Sequence, residues 1–540
     1  MYIKNTYVNY CFLILLFLLV GFLSVFASPY GEECNVMIAG RGVTADSSIL
    51  FAKSEDYGTA STDFAFHVPR KQHPEGSVIK LYNGGTVPQV SETYAYKYFE
   101  CPPSPYSNAI INEWGLALGS NGCSSKVVTE KGHGNFPTQE QLKWLEDEGE
   151  ITDGGIGTML RILLAERCKT AREAVLLAVQ LLNEYGYTAS GRNLNIVDEN
   201  EAWNLQMATG RHYVARKVQD DEVFIIANTF NIHEIDFDDK ENWITSPGLV
   251  EYAIKRGWYD PASGKPFDFA MAYAPTVNMT ADWNTHRHWN LGRQLSSTFM
   301  SFEEAEKGWI PTTVKPDNTK LTPQDLMKIM RNHFEGTPAD FTDIPGANMG
   351  IGKDPHTTKE FPNCNVRVIR VIVYQGRNWL PDDLQVYWYA PQRSCSNGFI
   401  PWYVGMTNTP PAWRKVQEGL DTTKREFLDY HFNPADTTWL FDWDSANSVF
   451  ALLSFLVESR WEWAIKGVQE TWAEYEEMNF ALQKNVEAAA LKLYQEDPVL
   501  AREFLTLYSF AQSEKALKIA KELINKFRIE MAKKLGLEAV

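Results

Sequence analysis

Cysteine is scarce in this chain: seven residues in 540, at positions 11, 34, 101, 123, 168, 364 and 395. That density excludes a disulfide scaffold, in which many bridges staple a small exported chain. CxxC pairs and compact Cys/His clusters are missing as well, so no metal site is expected. Basic runs are absent; Lys and Arg number 51 against 68 Asp and Glu, a formal net charge of -17. Such an acidic surface repels phosphate backbones, which excludes nucleic acid as a partner. The glycine-rich stretches "GGTVP" and "TDGGIGT" lack the Lys-Ser/Thr of a phosphate-binding loop. Internal repeats and low-complexity linkers are missing too.

What the chain does have is apolar side chain enough for a large core, with 17 Trp and 13% aromatic residues. At about 100–200 residues per domain, 540 residues make two or three domains, or one large one carrying insertions. Residues 1–27 read as a secretory signal. Lys4 supplies the charge, Cys11 to Ala27 the apolar run, and Val25-Phe26-Ala27 the small residues before a cleavage point. The run is short of the ~20 residues that span a bilayer. Export to the periplasm or the exterior is therefore expected, with no stable membrane insertion after cleavage. Retention as an anchor stays open. Removing the first 33 residues takes away Lys4, Glu32 and Glu33 and leaves a charge of -16.

From residue 35 to about 230 short β-rich runs dominate: "NVMIAG", "SILFAKSED" and "NAIINEWGLALGSN". The stretch "LNIVDENEAWNLQMATGRHYVARKVQDDEVFIIANTF" predicts three or four strands in an antiparallel meander, broken at "DENE", "TGR" and "QDDE". "TAREAVLLAVQLLNEYG" predicts a helix with a Thr170–Glu173 capping box and Gly186 past its end. A second helix is predicted at "LTPQDLMKIM", with Thr322 as cap and Pro323 first. Strands are predicted at "CNVRVIRVIVYQG" and "LQVYWYAP". Beyond about Ser445 the pattern turns to long helices, one starting at Asp497-Pro498. In the last, Leu517, Ala520, Ile524, Phe527 and Met531 share a face expected to pack on the body. The polar clusters His286-Arg287-His288 and His233 to Asp239 are expected in solvated loops: an intervening Arg is hostile to a cation, and the acidic run lacks calcium-loop spacing. Cys168 is expected as a buried thiol, and Cys101, Cys123, Cys364 and Cys395 are left as pairing candidates in no assignable order. Asn278-Met279-Thr280 is a glycosylation sequon.

The unusual cysteine is Cys34, seven residues past the signal and directly behind Glu32-Glu33. Read alone it is half of a disulfide, an inert thiol or, least readily, a lipid-attachment site. From Cys34 onward the chain resembles the C69 dipeptidases, relatives of secernins and of the choloylglycine hydrolase and penicillin V acylase group. The segments that carry the likeness are "CNVMIAGRGVTADSSILFAKSED", "INEWGLALGSN", "DENEAWNLQMATGRHYVARKVQDDEVFIIANTF", "THRHWN" and "CSNGFIPWYVGMTNTPPAW", with the helical C-terminus. All of these relatives are N-terminal-nucleophile (Ntn) hydrolases. The resemblance implies an α+β, four-layer αββα sandwich over 34–440, a helical region 441–540 packed on it, and a propeptide, 28–33, removed to make Cys34 residue one.

The resemblance also implies roles. Cys34 supplies both nucleophile and α-amino base. Asp56 orients the amine, and Lys53 occupies a basic position that is commonly Arg in dipeptidases; the often-Asn position after it is Ser54 here. Asn121, with Ser120 as competitor, matches an oxyanion-hole donor, Asn228 a site asparagine, and Arg287, with Arg293 as rival, the arginine near the nucleophile. Without the resemblance, Lys53, Glu55 and Asp56 read as a solvated strand end. The expected reaction is cofactor-free, metal-free hydrolysis of dipeptides and short peptides. The alternatives are an amidase or acyltransferase on non-peptide N-acyl amides and a non-catalytic exported binding protein. Homo-oligomerisation is left open.

Overall fold

The computed structural model describes residues 34–57, 62–81, 83–101, 109–129, 138–340, 342, 353–357, 361–414 and 436–534. Residues 1–27 and 28–33, expected as signal peptide and propeptide, lie outside the described residues. Mixed α/β architecture follows from two antiparallel sheets. The seven-stranded sheet contains β1 (Val36–Ala39), β2 (Ile49–Asp56), β10 (Val223–Ile226), β12 (Thr313–Val314), β13 (Val368–Gly376), β14 (Val386–Pro391) and β15 (Ile400–Tyr403), in the order β12-β10-β1-β2-β13-β14-β15. The eight-stranded sheet contains β3 (Phe64–Val68), β4 (Tyr96–Glu100), β5 (Ala109–Asn112), β6 (Ala117–Gly122), β7 (Tyr187–Val197), β8 (Ala202–Gly210), β9 (Tyr213–Lys217) and β11 (Trp243–Thr245), ordered β11-β9-β8-β7-β6-β5-β4-β3.

Strand alternation divides the core. In β1, Val36 and Ile38 share a cluster with Phe51 and with Phe99, Ile111, Ala117 and Val197 of the eight-stranded sheet. Their neighbours Met37 and Ala39 point the other way, to Leu291 and Leu295 of α3 (Asp282–Leu295) and Leu326 and Met327 of α4 (Pro323–Met330). On the eight-stranded sheet, Leu118, Leu194 and Leu205 pack on α1 (Leu160–Arg167) and α2 (Ala171–Tyr185). A strand buried on both faces reads as a continuous apolar run, which is why "VMIA" shows no polar alternation.

The helix signals act locally. Thr322 and Asp325 form a full capping box on α4 with Pro323 at its first position. At α2 the expected box closes differently. Thr170 accepts the Glu173 N–H, but the Glu173 carboxylate takes the Lys169 N–H at 2.7 Å. The meander also needs correcting. β7, β8 and β9 run as three neighbours, but β10 leaves them and pairs with β1, Val36 opposite Ile226. The reading of "KSED" as a solvated end fails because β13 pairs along β2 as far as Val368–Asp56, so all four residues are buried. "THRHWN" is likewise no loop: it lies within α3, with His286, Arg287 and His288 buried. Of the other acidic stretch, His233 is buried while Asp236, Asp238 and Asp239 stay in an irregular segment. Asn278, the sequon residue, is buried and so not presented for glycosylation. All six described cysteines are free and buried.

At the C-terminus, α5 (Ala446–Glu458), α6 (Trp461–Glu496) and α7 (Pro498–Lys534) follow one another. Ala520, Ile524 and Phe527 of α7 are buried in the cluster that holds Trp402, Phe450 and Leu453, with Leu517 and Met531 packed against it. Trp402 donates its indole N–H to Ser513 at 2.8 Å. Among the described residues no helix is long and apolar enough to cross a membrane. Gly398 fits because the Trp472 ring of α6 lies against its Cα, held by an indole bond to Ser396 O at 2.9 Å. A methyl there overlaps the ring, so Gly398→Ala is expected to cost about 1–3 kcal/mol. The measurement is the urea midpoint; an unchanged midpoint shows that α6 yields freely.

Candidate active site

Two residues before β1, Cys34 shares the parity of Val36 and Ile38 and therefore faces the space between the sheets. Asn228, two residues beyond β10, shares the parity of Phe224 and Ile226, which occupy the same cluster. On β6, Asn121 has the parity of Ala117, again in that cluster, whereas Ser120 has that of Leu118 on the helix side. Alternation thus separates the two competitors. Ser120 Oγ accepts a hydrogen bond from Arg161 of α1, while Asn121 reaches the cysteine.

The hydrogen bonds are specific. The Cys34 backbone N–H donates to Asn228 Oδ1 at 2.5 Å. Asn228 Nδ2 donates to Gly122 O at 2.9 Å, which fixes the amide with its oxygen toward Cys34. Its backbone N–H goes to Asn284 Oδ1 at 3.0 Å. Asn121 Nδ2 donates to Ala227 O at 2.9 Å and lies 3.5 Å from Cys34 O. From α3, Arg287 spreads its guanidinium over the site: Nη2 donates to Asn228 Oδ1 at 3.1 Å and Nη1 to Cys34 O at 3.3 Å. Nη1 also sits 3.7 Å from Asp56 Oδ2, neither side chain having any exposure. Arg293, the rival, is half-buried and donates to Asn290 of its own helix at 2.7 Å.

Asp56 was expected to orient the Cys34 nitrogen. Here that single N–H goes to Asn228, and Asp56 Oδ2 accepts from Asn365 Nδ2 at 2.6 Å. The reason is strand parity: Asp56 shares the helix-facing side of β2 with Leu50 and Ala52, where Arg287 arrives. Asn228, matched to a site asparagine, turns its Oδ1 to the Cys34 N–H and its Nδ2 to Gly122 O. Lys53 faces the inter-sheet side. Its Nζ donates to Glu55 Oε2 at 2.7 Å and Ser54 O at 2.9 Å, and Glu55 in turn lies 3.3 Å from Arg370. Gly119 makes room for it, since any Cβ there would press on the side chains of Lys53 and Phe51.

With the chain continuing upstream, burial pushes the Cys34 thiol up to about 12. Lys53 and the Asp56 backbone N–H pull it down, and the carboxylates of Glu55 and Asp56 push it further up. A thiol in that state is nearly all protonated at neutral pH and is a poor nucleophile.

The model of peptidase family C69 matches residues 33–472, beginning one residue before Cys34. The chain belongs to peptidase family C69. A probable dipeptidase B of Streptococcus pyogenes serotype M1 is 24% identical over 499 residues, 91% of each chain. A probable dipeptidase of Latilactobacillus sakei is 26% identical over 393 residues, 72% of this chain and 78% of that one. Among solved structures, a mutant conjugated bile acid hydrolase from Clostridium perfringens matches 42% of this chain and 56% of its own at 10% identity, with a TM-score of 0.19.

Four asparagines of this C69 chain escaped sequence reasoning. Asn35 donates its backbone N–H and its Nδ2 to Ser54 Oγ, at 3.0 and 3.2 Å, where the family often has Asn. Asn363 Nδ2 donates to Asn35 Oδ1 at 2.8 Å and Arg287 O at 3.2 Å. Asn284 and Asn365 complete the set. The signal available was "NCN" at 363–365, two amides around a cysteine, in a segment otherwise read only as a strand start. Removing the guanidinium leaves Asp56 as a buried, uncompensated carboxylate, so Arg287→Met is expected to lose about 3–5 kcal/mol of stability. Adding Asp56→Asn is expected to restore part of it in denaturant titration. A purely steric role for Arg287 predicts no such recovery.

Proposed function

We propose that this C69 peptidase is an exported Ntn hydrolase that cleaves dipeptides and short peptides through an acyl-enzyme on an N-terminal Cys34. The observation that carries the reading is the grip on the Cys34 main chain. Asn228 holds its nitrogen, Arg287 and Asn121 approach its carbonyl, and the family match starts at its doorstep. Any buried backbone N–H and C=O must be paired; here the partners are a side-chain amide and a guanidinium rather than a neighbouring strand, so they are placed to hold a chain end.

Removal of the upstream segment turns that N–H into an amine, which titrates near ~7.7–8.0 and can be neutral at working pH. The amine takes the thiol proton, sulfur attacks the scissile carbonyl carbon, and the carbon–nitrogen bond breaks as the leaving amine collects the proton. Water then attacks the thioester and regenerates the thiol. Donors near the developing oxyanion contribute about 3–4 kcal/mol; Asn121 Nδ2 is the nearest uncharged candidate. Substrates with a free N-terminus and a short chain suit the dipeptidase names of the relatives. The three hydrophobic clusters, helix on sheet, sheet on sheet and sheet on helix, support a four-layer αββα arrangement with the C-terminal helices packed alongside. The signal-like residues 1–27 support export, and 28–33 is the segment to be removed.

N-terminal sequencing and intact mass of the active, exported protein test this. A chain starting at Cys34 is expected, and full dipeptidase activity from a chain starting at Ser28 overturns the proposal. Cys34→Ala is expected to lower kcat/KM on dipeptides by roughly 10³–10⁶-fold; faster turnover of N-acyl amides than dipeptides by the mature protein overturns the substrate class. In the uncleaved chain Cys34 alkylation at pH 8 runs through a thiolate fraction of about 10⁻⁴ and rises about tenfold per pH unit. Peptide mass spectrometry after iodoacetamide reads this rate, which is expected to jump on processing.

A further inference from the structure

Away from Cys34, four side chains distant in sequence meet inside the protein: His333, His356, Cys364 and Cys395, all buried, with their ligand atoms within 4.8 Å of one another. We propose that they form a tetrahedral metal site, and that its occupant is Zn²⁺.

The donor set is the first argument. Two imidazole nitrogens and two thiolates are what structural zinc takes, four-coordinate and closed. Zinc bonds of about 2.0–2.1 Å to nitrogen and about 2.3 Å to sulfur set tetrahedral edges of about 3.3–3.8 Å. The two Nε2 atoms stand 3.2 Å apart, and His356 Nε2 lies 3.0 Å from Cys395 Sγ and 3.8 Å from Cys364 Sγ.

The second argument is independent and concerns the far side of each ring. His333 Nδ1 lies 2.9 Å from Glu335 Oε1, and His356 Nδ1 lies 2.6 Å from Asp354 Oδ1. A carboxylate on Nδ1 keeps the proton there and leaves the Nε2 lone pair free, the usual support of a metal-bound histidine. Both free lone pairs then point at each other across 3.2 Å, an arrangement a cation between them relieves. The Trp461 ring stands edge-on to both imidazoles at 5.4 and 5.0 Å and closes the site. On binding, the two thiols release two protons to solvent, and two thiolates balance the Zn²⁺ charge.

The location suggests what the ion is for. Cys364 sits between Asn363, which bonds Asn35 and Arg287 O, and Asn365, which bonds Asp56. Zn²⁺ ties that segment to the ends of α4 and β14 and so fixes both asparagines against the Cys34 site.

The test is metal analysis of the purified full-length protein, carrying no metal-binding tag. About one Zn²⁺ per chain is expected in wild type and in Cys34→Ala, falling below about a tenth in Cys364→Ser and Cys395→Ser. Asp354→Asn is expected to weaken Zn²⁺ binding about 10–100-fold in competition with a chelator. Should the serine variants fail to fold, wild type stripped and titrated with Co²⁺ answers alone: it is expected to show tetrahedral d–d bands and a thiolate-to-metal transition. A folded wild type that takes up neither Zn²⁺ nor Co²⁺, or a Cys364–Cys395 disulfide in the native protein, overturns the proposal.

Discussion

Asp56 and Arg287 face each other 3.7 Å apart with neither side chain exposed. Taking two such groups out of water costs several kcal/mol per ion, and their attraction repays it only when the remaining donors and acceptors find partners too. The neighbourhood of Cys34 is organised by that demand. Asn365 supplies a donor to Asp56, while Asn228 Oδ1 and Cys34 O supply acceptors to the guanidinium. Because Asn228 Oδ1 also accepts the Cys34 N–H, satisfying the buried charge and holding the Cys34 main chain are one network.

A second buried series runs beside it on the inter-sheet face. Lys53, Glu55, Arg370 and Asp63 alternate in sign, and Tyr389 adds a hydroxyl bond to Asp63 at 3.0 Å. Burial nevertheless pushes the Asp63 carboxyl up to about 6 against the pull of Arg370. Lys53 belongs to this series more than to Cys34. Its effect on Cys34 is through charge, by favouring the thiolate in a place where burial disfavours it. Burial thus keeps the Cys34 thiol protonated against the pull of Lys53.

Sheet geometry converts sequence offsets into these contacts. Cys34, Asn121 and Asn228 come from three strand ends in two sheets, and all three carry inter-sheet parity. Asp56 carries the opposite parity and meets a helix. A shift of one residue in β1, β2, β6 or β10 would exchange inward and outward side chains and dissolve the site.

Much of this was legible in the residues alone. Apolar runs marked β1, β2, β6, β13 and β14 because these strands are buried on both faces, and Thr322-Pro323 marked a helix start through bonds within four residues of the chain. Cys34 was legible from its position behind a signal-like run, and Arg287, Asn121 and Asn228 from the family pattern around them. What stayed hidden depends on pairing over long distances. "THRHWN" carries polar residues all round, and only its packing beneath the seven-stranded sheet makes it a buried helix. The departure of β10 from its meander is set by the vacancy beside β1, which no local turn encodes. The Asn363–Asn365 contacts span more than 300 residues to Asn35 and Asp56, and His333, His356, Cys364 and Cys395 have no motif spacing. Short-range hydrogen bonding and hydrophobic period are written along the chain, so sequence determined the elements and singled out Cys34. Which charges are buried, which amide faces Cys34 and which four side chains converge were decided only when the two sheets closed on each other and the helices covered them, because pairing a buried charge requires partners from every layer at once.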